Sequence, residues 1–175
     1  MFSAFETLLD HTPPAWVRRL EATVLMRTFA RAFDVEPPTP ATLPAFREFT
    51  AACMEAASVD PDIAARYRDR LGQAAYALGA RVRVLFAVCP SQAFRVTRFF
   101  YRGIGIELTG GLPGNLWFGP CYFAARYTPH DCCFMSAFDE GFMRGIVGDA
   151  SDALVFASRI TEGAPCCCAR LQSGA

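Results

Sequence analysis

Gly103-Ile104-Gly105-Ile106-Glu107-Leu108-Thr109-Gly110-Gly111 is the run that divides this chain. Ile104, Ile106 and Leu108 alternate with Gly105, Glu107 and Thr109. A period of two sends successive side chains to opposite faces of a strand. Upstream of this run the apolar residues recur at helical spacing, and downstream strand and helix patterns mix. Helices first and antiparallel strands later predict an α+β fold: an N-terminal layer of about four helices, then a small antiparallel sheet with one further helix.

Toward the N-terminus, Thr12-Pro13-Pro14 reads as a cap and first helical turn. Trp16, Leu20, Val24, Phe29 and Phe33 then form an apolar stripe. Three prolines between Glu36 and Pro40 end that helix. A second helix from about Thr42 turns Leu43, Phe46, Phe49, Cys53 and Ala57 inward. Asp60-Pro61 caps a third, which carries Ile63, Tyr67, Leu71, Ala74 and Leu78. A shorter fourth helix runs from Pro90-Ser91 to near Tyr101. Toward the C-terminus, Gly110-Gly111 and Pro113-Gly114 are turn chemistry, and Asn115 to Ala124 reads as a second strand. Cys132 to Ile146 returns to helical spacing with Phe134, Phe138, Phe142 and Ile146 inward. Ala153 to Ile160 and Cys166 to Leu171 form a closing hairpin around Thr161 to Pro165. Residues 1–175 read as one domain, helical over 1–102 and cysteine-rich α+β over 103–175. With no βαβ alternation and no glycine-rich phosphate loop, a dinucleotide-binding fold is excluded.

The 175 residues are 53% hydrophobic and 19% charged, with a formal net charge of zero. Such a chain buries a core, and nothing in its charge draws it to nucleic acid or an anionic membrane. All 17 basic residues are arginine, which removes a lysine Schiff base from consideration. The first ten residues lack a basic run and a long apolar stretch, so no secretory leader is expected and the reading is cytoplasmic. In a reducing compartment the eight cysteines are expected as thiols without disulfides: core fillers, ligands or nucleophiles.

The residues with chemical potential cluster in the last third. Cys166, Cys167 and Cys168 lie in a strand, so Cys166 and Cys168 share a face and Cys167 takes the other. Cys132 and Cys133 open a helix, where partial positive charge favours a thiolate. The same helix aligns Cys132, Ser136 and Asp139 or Glu140 at i, i+4 and i+7 or i+8. His130, just before Cys132, is placed to activate a thiol or bind a metal. Cys121 follows Gly119-Pro120 on the second strand. A tetrahedral metal site of Cys121, His130, Cys132 and Cys167 is one alternative, although no Cys-x-x-Cys spacing supports it. No other cofactor is called for. Each of these residues has a plainer reading as core thiol or solvated surface. The helices before Gly103 are expected to contribute shape and core but no catalytic group.

Taken in order, Cys121-Tyr122-Phe123, Ser136-Ala137-Phe138-Asp139-Glu140, Arg159-Ile160-Thr161-Glu162-Gly163 and Cys167-Cys168-Ala169-Arg170 resemble the closing signature of the L-2-amino-thiazoline-4-carboxylic acid hydrolase-like family. The similarity covers about fifty residues. Cys121, Asp139, Gly163, Cys167 and Arg170 fall on the pattern. Ser136 stands where the family has a helix cysteine, Arg159 where it has threonine and Ala169 where it has phenylalanine. The resemblance implies hydrolytic opening of a C–N or C=N bond in a small carboxylated heterocycle. Asp139 would then be the base, Cys121 or Cys167 the nucleophile and Arg170 the carboxylate anchor, with Cys132 or Cys133, one turn earlier, in place of the missing helix cysteine. A second, weaker similarity is to the small-molecule-binding domains named after vinyl reductase. That similarity implies a non-catalytic module whose pocket is lined by some of the 16 phenylalanines. Either way the expected partner is a small molecule.

Overall fold

The computed structural model describes residues 9–86, 88–111, 114–148 and 153–172. The expected Pro113 part of the first hairpin turn and the first eight residues of the N-terminus lie outside them. Four helices come first: α1 (Ala15–Phe33), α2 (Leu43–Ala57), α3 (Pro61–Leu85) and α4 (Pro90–Gly103). Strands β1 (Ile106–Gly110) and β2 (Gly114–Cys121) follow, then α5 (Pro129–Val147), β3 (Ala153–Ser158), a 3-10 turn (Ile160–Glu162) and β4 (Cys167–Gln172). The sheet is antiparallel in the order β1-β2-β4-β3. This is the α+β class that the sequence predicts.

Local chemistry sets most of the boundaries. Thr42 accepts from the Ala45 N–H at the start of α2, and Asp60 accepts from Asp62 and Ile63 at the start of α3. Thr12 caps nothing; Pro14 precedes α1 without a side-chain cap. Helix α5 starts earlier than its apolar spacing indicates, because Thr128 and Asp131 form a reciprocal capping box. Strand β1 starts later than expected, at Ile106, because α4 runs on through Gly103 and Gly105 adopts φ 77°.

The inner sheet face (Ile106, Leu108, Leu116, Phe118, Leu154, Ala169, Leu171) is buried against the helices. Helix α5 runs through the core, with Phe134, Phe138, Phe142 and Ile146 buried as their spacing predicts. Phe29 of α1 packs on both Phe46 and Phe138, at 5.3 and 5.4 Å between ring centres. Two stripes differ from expectation. Trp16 and Leu20 of α1 are exposed, because they border a cavity instead of packed side chains. On α3 the most buried line is Leu71, Ala75, Gly79 and Val82, because small residues there admit α5 at close range. A Cβ on Gly79 would overlap the Phe142 carbonyl; one on Gly141 or Gly145 would overlap the carbonyl of Gly72 or Tyr76.

Gly145→Val is therefore expected to destabilise the fold by about 3 kcal/mol or more, as overpacking against an unyielding backbone does. Gly111→Ala, where a Cβ meets nothing within 4 Å, is expected to be near neutral. Urea denaturation followed by circular dichroism checks both; equal stability of the two variants would refute the crossing's importance.

Candidate functional site

Strands β2 and β4, helix α5 and the loop after β3 bring thiols, Asp139 and Arg159 to a small cavity of about 60 Å³, room for a few water molecules. Strand alternation brings Cys167, Ala169 and Leu171 of β4 to the inner face. On β2 the same alternation exposes Leu116 and Phe118 inward and would send Cys121 outward. The register prevents this: Leu108 pairs with Phe118, but Ile106 pairs with Cys121, so β2 carries one extra residue at Gly119-Pro120. That bulge re-aims Cys121 into the cavity. Helix α5 adds Cys132, Ser136 and Asp139 from one stripe, and Arg159 enters from the loop after β3.

Asp139 is the chemical centre. It is half-buried and lines the cavity. Burial raises its pKa to about 7, against the opposing pull of a Tyr101 hydrogen bond and the Arg159 charge. The Tyr101 hydroxyl donates to Asp139 Oδ1 at 2.5 Å. Burial and the neighbouring carboxyl push Tyr101 well above its ordinary value, so it remains a donor.

Arg159 is the cation of this site. Its Nε and Nη2 donate to Ser136 Oγ at 3.3 and 3.2 Å, and its guanidinium lies over the Phe156 ring at 5.2 Å. Ser136 in turn donates to the Cys132 carbonyl at 2.7 Å. Tyr127 also lines the cavity and is hydrogen-bonded to Thr50, itself a donor to the Phe46 carbonyl.

The three cavity thiols are held protonated. Burial pushes Cys132 up to about 12, opposed by the nearby Thr161 hydroxyl, and raises Cys121 and Cys167 as well. The Thr161 hydroxyl is close enough to Cys132 to act electrostatically, yet it makes no hydrogen bond of ordinary geometry among the described residues. The helix-terminus argument for a low-pKa Cys132 fails for a local reason. Thr128 and Asp131 already occupy the helix start, and Cys132 lies one residue further in, beside buried neighbours. The Ile160 N–H donates to Cys167 Sγ at 3.3 Å.

Of the residues singled out from sequence, Cys121, Cys132, Cys167, Ser136 and Asp139 converge on this cavity. The others lie elsewhere. His130 is exposed, its Nδ1 3.0 Å from Ser58 Oγ. Glu140 is paired with Arg144 at 3.2 Å. Arg170 is exposed on the outer sheet face, where strand alternation puts it opposite Cys167. Cys166 and Cys168 do share a face, with sulfurs 3.4 Å apart. Cys53, Cys121, Cys132, Cys133, Cys166, Cys167 and Cys168 are thiols without a disulfide. No three His, Cys, Asp or Glu side chains among the described residues are grouped so as to hold a metal ion. No described helix is long and apolar enough to cross a membrane.

Sequence reasoning missed Tyr101 and Arg159. Tyr101 of α4 reaches Asp139 by a hydrogen bond from the helical layer that is expected to add shape and core but no catalytic group. Its only signal is a hydroxyl in the otherwise apolar run Phe99-Phe100-Tyr101. Arg159 was hidden by its loop position. Comparison of the chain with protein-family models, curated proteins and solved structures finds no match.

Two outcomes follow from these protonation states. At pH 7.5 Cys121, Cys132 and Cys167 should react with iodoacetamide at least about tenfold more slowly than free glutathione, since the thiolate is the reactive form. Peptide mass spectrometry over a time course reads this, and rapid labelling of Cys167 would contradict it. The second outcome concerns stability. Asp139 goes from its ordinary 3.8 to about 7 on folding and Glu21 from 4.5 to about 8. Between those values the folded state binds more protons than the unfolded, so stability declines as pH rises from about 4 to about 8. Asp139→Asn should flatten that decline, by roughly 4 kcal/mol at most. Thermal melts at pH 5 and pH 8 measure it, and parallel curves for both proteins would refute the assignment.

Proposed function

We propose that this protein is a small-molecule hydrolase that opens a C–N or C=N bond in a small carboxylated heterocycle, with Asp139 as general base. One observation carries this reading: a carboxyl poised at about 7 and fixed by Tyr101 borders a cavity sized for water. Proton transfer is most effective when the base's pKa lies near the working pH. The similarity of Cys121, Asp139, Gly163 and Cys167 to the L-2-amino-thiazoline-4-carboxylic acid hydrolase-like pattern supports the same chemistry.

The reaction runs as a balanced addition and elimination. Asp139 takes a proton from water as the water oxygen bonds to the C=N carbon, and the π electron pair moves to nitrogen. Asp139 hands that proton to the nitrogen. It then takes the proton of the new hydroxyl as the O–H pair forms C=O, the C–N bond breaks with its pair on nitrogen, and the proton passes to that nitrogen. One water is consumed and the carboxylate is regenerated. The thiols, protonated at rest, shape the cavity and supply weak donors.

A heterocycle exceeds the inner cavity, so its body belongs outside. Ser136, Phe156 and Arg159 line the cavity on one side and a wide polar groove on the other. That groove also carries Arg68 and Arg144. A substrate carboxylate is matched to arginine there by charge and planar geometry. Arg159 takes the anchoring role that the resemblance gives to Arg170.

With L-2-amino-thiazoline-4-carboxylate as substrate and chromatographic detection of the ring-opened product, Asp139→Asn should lower kcat by roughly two to four orders of magnitude. The wild-type rate should rise through about pH 7 as Asp139 ionises. Arg159→Met should raise KM more than it lowers kcat. Wild-type protein that leaves this substrate and related cyclic amidine carboxylates untouched would sink the proposal, as would near-native turnover in Asp139→Asn.

A further inference from the structure

A second and much larger cavity, about 470 Å³, lies between α1, α3 and α4, within the size range of small-molecule sites. Its walls include Val17, Leu78, Val82, Val96 and Phe99, and it opens at exposed Trp16. It borders the Asp139 cavity through Leu25, Ile104 and Phe138, which line both, but contains none of the thiols.

One group is out of keeping with these walls. Glu21 lines the cavity with only 5% of its surface accessible, and both carboxyl oxygens are buried without a hydrogen-bond partner. Space for it is made on purpose by the backbone: any side chain at Gly103 would overlap Glu21 Oε2. Two other charged groups bear on it. Arg18 acts on Glu21 through space from an exposed position, and Arg81 lines the cavity from an exposed one. A buried carboxyl with no partner is costly to folding, and evolution retains such groups where they serve a site.

We infer that this cavity is a binding site for a lipophilic primary amine, its hydrocarbon body against the apolar walls and its ammonium on Glu21. The head group follows from counting. Two orphaned acceptors and a displaceable proton call for a group with several N–H donors and a positive charge, and a primary ammonium brings three donors. An alcohol brings one donor and no charge. A carboxylate brings like charge to the same spot. The body follows from the walls, which offer no further polar partner at depth. Bringing an ammonium next to Glu21 also reverses the burial effect that keeps the carboxyl protonated, since an opposite charge favours the ionised form. The inference does not rest on the reaction proposed at Asp139.

Trp16 at the mouth is a natural reporter, and Trp117→Phe on the exposed sheet face leaves it as the sole tryptophan. In that protein n-octylamine, 1-octanol and octanoate are titrated at pH 7.5, with Trp16 fluorescence and melting temperature as readouts. Octylamine should bind saturably, raise the melting temperature and bind about tenfold or more tighter than 1-octanol, the scale of a charge-assisted hydrogen bond. Octanoate should be the weakest. Glu21→Gln should remove the preference, weakening octylamine about tenfold while leaving 1-octanol within about twofold. Equal binding of the amine and the alcohol, a preference that survives Glu21→Gln, or no saturable binding each overturns the inference. Should Glu21→Gln not fold, the ranking of the three ligands on the protein that retains Glu21 decides alone.

Discussion

The backbone-to-backbone crossing of α3 and α5 is the constraint on which the other features depend. Glycines at 79, 141 and 145 let each helix meet the other's carbonyl oxygens with no side chain between. Glycine in a helix costs on the order of 1 kcal/mol per position in backbone entropy, and close packing along the whole crossing offsets it. The crossing also sets the rotation of α5. At about 100° per residue, Gly141 lies on the opposite side of the helix from Asp139. Clamping the glycine face to α3 therefore turns Cys132, Ser136 and Asp139 toward the sheet.

The sheet completes the site by a matching device. Ordinary alternation supplies Cys167, and a bulge supplies Cys121. In the enclosed space between them, burial acts on every ionisable group in the same direction, toward the neutral form. What distinguishes Asp139 from the thiols is the value from which each starts. Burial lifts the carboxyl from 3.8 to about 7 against Tyr101 and Arg159, whereas a thiol starts at 9.0 and a similar lift keeps it protonated.

Tyr101 links the two cavities. Its ring lines the larger, apolar one, and its hydroxyl holds Asp139 in the smaller. Leu25, Ile104 and Phe138 complete the shared wall. The protein thus separates a space suited to hydrocarbon from a space suited to water by one layer of side chains, with one buried carboxyl associated with each.

The sequence alone determined the class of fold, because period two and period 3.6 are written in the order of apolar residues and do not depend on partners. It also determined the phenylalanine face of α5, the start of α2 near Thr42 and the cap at Asp60, all local in origin. The stripe Cys132, Ser136 and Asp139 was legible for the same reason. Only the tertiary structure decided that Arg159 and not Arg170 is the site's cation, since that turns on which face of a strand and which loop meet the cavity. Tyr101 and Asp139 are joined by a contact between separate helices, for which neighbouring residues carry no signal. Glu21 reads in the sequence as one more solvated acid on a surface helix. Its burial is a consequence of α4 lying over it at Gly103, and pairwise approach of distant elements is the information that a linear pattern does not hold.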